Sequence, residues 1–394
     1  MRQSLERILV SHAGALPAPD DLMALVEQAP TDADALRRRL PSAVLEVVKR
    51  QVDLGVDVVN DGELSKRASR GGGFTYYAMR RLDGLREEPD PGGKVAASRS
   101  ITARDARSFP GFHAQRVAGF SAASAARAGR ASNVMVCAGP LAYIGQAQVA
   151  ADIANLTAAL DGHDVEGYLP AVAPGTIEHW LWNEHYRDDE ELLYAVAEAM
   201  SEEYEAITAA GLIVQVDDPD LFDGWQMFPD MSVDDYRRYA EVRVEALNHA
   251  LRRCPPELVR LHVCWGSGHG PHLNDLPVEH IVDVALKVRA GCFSIEAANP
   301  RHDHEWRVWE HTKLPEGMTL MPGVVGHCTD IVEHPRLVAD RLVRYAGLVG
   351  RENVIAGTDC GLGTRVAHPE IAWAKLEAMV AGATLATKEL WGAT

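Results

Sequence analysis

Arg260-Leu-His-Val-Cys264 is a short apolar run that carries one metal-binding side chain and ends on another. A run of this length between polar segments predicts a buried strand. Residues two apart on a strand point to the same face, so His262 and Cys264 are presented together. Phe293-Ser-Ile-Glu296 and Val354-Ile-Ala-Gly-Thr-Asp-Cys360 end in the same manner, on a carboxylate and on a thiol.

Outward from these three runs, short β-rich segments alternate with long amphipathic ones, the pattern of a parallel sheet with crossover helices. Strands are expected at 7–13, 56–61, 133–138, 167–173, 212–217, 259–264, 292–297, 319–325 and 353–358, and helices at 41–54, 189–210, 233–253, 278–290, 334–348 and 369–388. One more run than a barrel has slots predicts an α/β (β/α)8 TIM barrel with 133–138 as an extra strand or hairpin. A chain of 394 residues suits one elaborated barrel, and no internal repeat suggests a second. Asp188-Asp-Glu-Glu191 places acids at the positive end of a helix dipole.

Residues 64–131 break the periodicity with Gly71-Gly-Gly73, Glu87-Glu-Pro-Asp-Pro-Gly-Gly93 and an Ala/Ser/Arg-rich stretch at 121–131. They are expected to form an insertion after the second strand, a flap or subdomain of the single barrel 1–394, in which Phe74, Tyr76 and Tyr77 either line a substrate cover or pack a small core.

In a barrel of this kind the C-terminal strand ends form the active-site face. Asp61, Glu63, Asp217, Asp218 and His327 fall there beside His262, Cys264, Glu296 and Cys360. One imidazole, one carboxylate and two thiolates form a donor set that Zn²⁺ accepts tetrahedrally. A His-x-Cys pair alone is compatible with an ordinary buried strand, but Glu296 closes an apolar strand where a charge needs a partner or a metal. The carboxylate matters chemically, because structural zinc is usually closed by Cys and His alone, whereas a Glu can yield to an incoming ligand. If that ligand is a thiol, the metal holds it as the nucleophilic thiolate.

The net charge of −17 disfavours nucleic-acid and anionic-membrane partners, which select clustered Lys and Arg. Six cysteines are too sparse for a disulfide framework and predict a reducing compartment. Met1-Arg-Gln-Ser-Leu-Glu-Arg7 lacks the apolar stretch of a signal peptide, and no run of about 18 apolar residues occurs. A cytoplasmic enzyme without membrane attachment is therefore expected, with homo-oligomerisation left open.

Ala13-Gly-Ala-Leu-Pro17, Asp61-Gly-Glu63, Gln215-Val-Asp-Asp-Pro219, His262-Val-Cys264, Ser294-Ile-Glu296 and Thr358-Asp-Cys-Gly-Leu-Gly-Thr-Arg365 together resemble the catalytic barrel of the cobalamin-independent methionine synthases. The resemblance implies that His262, Cys264, Glu296 and Cys360 bind a catalytic zinc that activates homocysteine for methionine biosynthesis. It also implies that Glu63 and Asp217 bind the substrate's amino group. The methyl donor would be a methyltetrahydrofolate, with His327 as proton donor to its leaving group. The chain departs from the family pattern at Gly14-Ala15, where Gly-Ser is usual, at Asp217-Asp218-Pro219, and in the one-residue offset of His327. The absence of a long N-terminal barrel, together with Leu261-His-Val-Cys-Trp-Gly266 and Glu296-Ala-Ala-Asn-Pro300, is similar to the short branch that includes epoxyalkane:coenzyme M transferase.

Three readings result. In a zinc-dependent thiol alkyltransferase, the thiolate displaces a leaving group from carbon, with Asp61 and Trp265 helping to shape the substrate site and His269 and His272 nearby. Arg301, His302 and His304 after Glu296 are expected either to grip an anionic group or to form a solvated loop. In a zinc hydrolase, two thiolate ligands would weaken the metal's acidity toward water. In a binding protein with a structural zinc, Glu296 would have no reason to be among the ligands.

Overall fold

The computed structural model describes residues 1–27, 32–67, 75–90, 100–115, 133–266, 268–363 and 365–392. Its strands are β1 (Leu9–Val10), β2 (Val58–Asn60), β3 (Leu82–Pro89), β4 (Asn133–Tyr143), β5 (Glu166–Val172), β6 (Leu181–Asn183), β7 (Ile213–Asp217), β8 (Val259–Val263), β9 (Cys292–Ile295), β10 (Thr319–Val325) and β11 (Ile355–Thr358). Eight of them form a parallel sheet in the order β1-β11-β10-β9-β8-β7-β5-β2. A parallel bridge between Ser11 and Val58 returns the last strand to the first, so the sheet closes as a (β/α)8 barrel.

The expected extra run at 133–138 lies outside the barrel, within β4. It pairs antiparallel with β3 and parallel with β6. The periodicity missed β3, because Leu82-Asp-Gly-Leu-Arg-Glu-Glu-Pro89 is charged and largely solvent-facing. This small sheet is tied to the barrel by buried Arg81, whose guanidinium reaches Asp152 at 2.7 Å and Glu203 at 3.1 Å; Tyr143 donates to the same Glu203. Gly71-Gly-Gly73, Phe74, Gly92-Gly93 and 121–131 lie outside the described residues.

Two helix expectations are corrected. The helix expected at 41–54 begins at Ala33, with Asp32 accepting from the Asp34 and Ala35 amides and Pro41 carried inside it. The long helix expected at 278–290 is instead a 3₁₀ turn, Val278–His280, and one short helix, Val282–Ala285. Five β-branched residues (Val278, Ile281, Val282, Val284 and Val288) in this stretch lower its helix propensity. The helix Asp189–Ala209 starts as its acids predict: Asp188 accepts from the Glu191 amide while the Glu191 carboxylate accepts from the Arg187 amide.

Alternation on the strands sets the chemistry. On β8, Leu261 and Val263 join the core that packs against the helices, whereas Arg260 and His262 occupy the other face. Arg260 is fully buried within the barrel, donating to Ser11 Oγ and the His12 carbonyl and lying over the Tyr168 ring. On β9, Phe293 and Ile295 join the core, while Ser294 lies against His262.

Candidate metal and thiol site

Strand register brings the first cluster together. Asp217 on β7 pairs with His262 on β8, and His262 in turn pairs with Ser294 on β9. Ser294 Oγ lies 3.0 Å from His262 Nδ1, which leaves Nε2 buried and without a conventional hydrogen bond. A ligand-forming nitrogen of His262 and the Cys264 and Cys360 sulfurs lie within 4.8 Å of one another. One proton-poor sulfur is favoured: the bond from Cys264 and the neighbouring His262 hold the Cys360 thiol well below its ordinary range, against the effect of burial. The same contact and burial push Cys264 up. A buried imidazole with an unsatisfied nitrogen beside two thiols is a donor set that zinc fits.

Glu296 belongs to an adjoining cluster. Its Oε2 accepts from the Trp265 amide and its Oε1 from Asn299 Nδ2, each at 3.0 Å. It groups with His327 and Asp359. Asp359 Oδ1 accepts from the Ala297 and Ala298 amides, and burial followed by the charge of Glu296 raises the Asp359 carboxyl to about 7. Gly323 on β10 makes room for it, since a Cβ there would stand 2.0 Å from Asp359 Oδ1. His327 Nε2 is 3.3 Å from Cys328 Sγ; burial works against its charge, but Cys328, Cys360 and Glu296 raise it to about 10. His327 is not among the residues lining the cavity above the sulfurs.

That cavity, about 440 Å³, is lined by His262, Cys264 and Cys360 together with Glu63, Asp217 and Arg365. Glu63 has a left-handed φ of 57°, held by Asp61 Oδ1 accepting from its amide. Its Oε1 would be 3.2 Å from a Cβ on Gly14, so Gly14 leaves space for it as the chain turns through a φ of 79°. Asp217 Oδ1 accepts from Gln215 at 2.6 Å. Burial pushes its carboxyl to about 7, with Glu63 and Cys360 adding to the rise and His262 opposing it. Asp61 itself is buried beneath the loop and raised by burial to about 6, and it does not line the cavity.

Trp265 is turned away from the cavity. Its indole donates to the Leu276 carbonyl and stacks on His302 at 3.5 Å between centroids. His302 and His272 share Asp275, at 3.0 and 2.7 Å, and Arg301 donates to the Leu273 carbonyl, so these loop residues brace one another. The reading of single strands passed over Asp359, Ser294, Asp220 and Asp223. For Asp359 and Ser294 the signal was local: a polar residue within or just beyond an apolar strand, within two residues of a ligand candidate.

Residues 113–385 match the family model described as cobalamin-independent synthase, catalytic domain. The methionine synthase of Thermococcus kodakarensis is 27% identical over 223 residues, covering 56% of this chain and 58% of that protein. The methionine synthase of Saccharolobus solfataricus is 29% identical over 228 residues, covering 56% and 59%. The chain thus spans less than two thirds of the length of these curated relatives. The structure of a B12-independent methionine synthase from Shewanella sp. W3-18-1 in complex with selenomethionine superposes with a TM-score of 0.72 at 21% identity, over 98% of this chain and 99% of that one. A putative vitamin-B12-independent methionine synthase from Listeria monocytogenes gives 0.63 at 17%, with the same coverage. Both likenesses carry the barrel fold. With the family match covering more than half of its length, the chain belongs to the cobalamin-independent synthase catalytic-domain family.

Proposed function

We propose that this chain is a zinc-dependent thiol alkyltransferase that moves a methyl group onto a thiol such as homocysteine. The convergence of His262, Cys264 and Cys360 at the floor of a cavity also walled by Glu63 and Asp217 carries this reading. His262, Cys264 and Cys360 would hold the zinc, with Glu296 as the fourth, exchangeable ligand. When bound, zinc lowers the pKa of an incoming thiol and keeps it in the nucleophilic form.

The protein groups do the positioning. Ser294 fixes the His262 ring, and the Trp265 amide and Asn299 fix the Glu296 carboxylate. Glu63 and Asp217 take the substrate's ammonium group, a cation suited to two carboxyls on one cavity wall. Arg365 on the cavity wall takes its carboxylate, in place of the hydroxyl that Ala15 does not offer. His327 charge-balances Glu296 and Asp359 from behind the cavity. Orientation of the thiol toward the donor carbon supplies the main acceleration.

Zinc K-edge absorption of the purified protein, recorded with and without homocysteine and coenzyme M, tests the proposal. A sulfur atom added to the zinc shell by one thiol is the expected result and names the acceptor. A shell unchanged by every thiol would overturn it.

A further inference from the structure

The cavity holds more acid than one ammonium group requires. Beyond Glu63 and Asp217 it is lined by Asp220 and Asp223, and Arg365 is the single lysine or arginine among its described lining residues. Asp220 is engaged by His179 Nδ1 at 2.9 Å. Asp223 differs: it is 4% exposed, and its carboxyl makes no hydrogen bond or ion pair with a described residue. Space is kept beside it by Gly266, a cavity residue at φ 72° where a Cβ would stand 2.6 Å from Asp223 Oδ2. Tyr76 and Trp180 line the same cavity and bring two aromatic rings.

A buried carboxyl without a partner is unfavourable unless a ligand completes it. Acid groups together with aromatic rings select a cation, through charge and through the ring quadrupole. A folate carrying anionic carboxylates would face four acids in this cavity. It would also depart as an amine in need of a proton, and His327 does not reach the cavity lining.

Building on the zinc and thiol assignment above, we propose that the methyl donor is an onium cation, a sulfonium or a quaternary ammonium, recognised by Asp223 and Asp220 and by the rings of Tyr76 and Trp180. In the transfer step the thiolate sulfur forms a bond to the methyl carbon as the bond from that carbon to the onium centre breaks. The electron pair of the broken bond stays on the leaving atom, which departs as a neutral thioether or tertiary amine. No proton enters or leaves.

Binding and turnover of the zinc-loaded protein test this. In calorimetry the native protein is expected to bind choline at least tenfold more tightly than its neutral isostere 3,3-dimethylbutan-1-ol, and Asp223→Asn to lose that preference. With homocysteine as acceptor, methyl transfer read by mass spectrometry is expected from trimethylsulfonium or from choline, and which of the two reacts identifies the onium class. Asp223→Asn should raise the KM of the reacting cation at least tenfold while leaving the thiol-induced change at the zinc edge in place. Equal binding of choline and the neutral alcohol, or turnover of methyltetrahydrofolate with neither cation reacting, would overturn the proposal. A zinc shell that responds to thiol in such a result would leave the thiol assignment standing, whereas an unresponsive shell would remove that assignment.

Discussion

At the scale of single residues, the first cluster is built from atoms whose alternatives have been taken away. His262 has one nitrogen committed to Ser294, which leaves the other for a metal. Ser294→Ala is expected to weaken zinc affinity by about tenfold to a hundredfold, the usual cost of losing a partner that orients a ligand. Competition with a chromophoric chelator measures it, and unchanged affinity would show that ring packing alone orients His262. Cys360→Ser is expected to lose zinc and methyl transfer together while circular dichroism keeps the barrel signal; full zinc content in that variant would remove Cys360 from the ligand set. That His262, Cys264 and Cys360 stand at the same end of the barrel was legible in sequence, because polar side chains at the ends of apolar strands stand out from their surroundings. That Glu296 shares a cluster with His327 and Asp359 was not legible, since it depends on where β9, β10 and β11 end relative to one another.

At the scale of elements, barrel strands and crossover helices follow from periodicity, while close approaches between elements follow from single small residues. The helices Pro335–Val349 and Pro369–Trp391 pack at Gly382, where a Cβ would stand 2.4 Å from Val338 Cβ. Gly382→Ala raises helix propensity by ~1 kcal/mol. The contact nevertheless predicts a net loss of about 1–3 kcal/mol, the range for overpacking. Urea unfolding reads the difference, and a stabilised variant would refute so close a crossing. The helix expected at 278–290 failed at this scale because an apolar stretch between Pro277 and Gly291 has the spacing of a helix face but is rich in β-branched residues that disfavour the helix.

At the scale of the whole molecule, the mouth of the barrel concentrates buried acid. Burial raises Asp218 to about 7 even though Thr176 donates to it at 2.9 Å. Unfolded, the same carboxyl ionises near 3.8. The folded state therefore keeps a proton that the unfolded state gives up. The stability linked to this group is complete below the unfolded value and is lost as pH rises toward 7. Asp218→Asn keeps an oxygen for Thr176 and cannot ionise, so its melting temperature relative to the native chain should rise from pH 4 to pH 8. Calorimetry across that range checks the sign, and a constant difference would mean that Asp218 ionises normally in the fold. His12, lowered by burial to about 4, acts in the opposite direction between 4 and 6.5, whereas Asp217 and Asp359, each raised to about 7, act in the same direction as Asp218.

The sequence by itself determined the barrel, the extra strand near residue 133 and the set of His, Cys and Glu side chains at the strand ends, because strand alternation and side-chain chemistry are written locally. Tertiary structure alone decided which of those side chains meet. It brought Cys360 from the last barrel strand to His262 on β8, set Glu296 beside Asp359, turned Trp265 onto His302, and placed Asp223 on the cavity wall without a partner among the described residues. Each of these depends on register between strands distant in the chain and on loops whose paths are fixed by contacts with one another. No window of neighbouring residues contains that information.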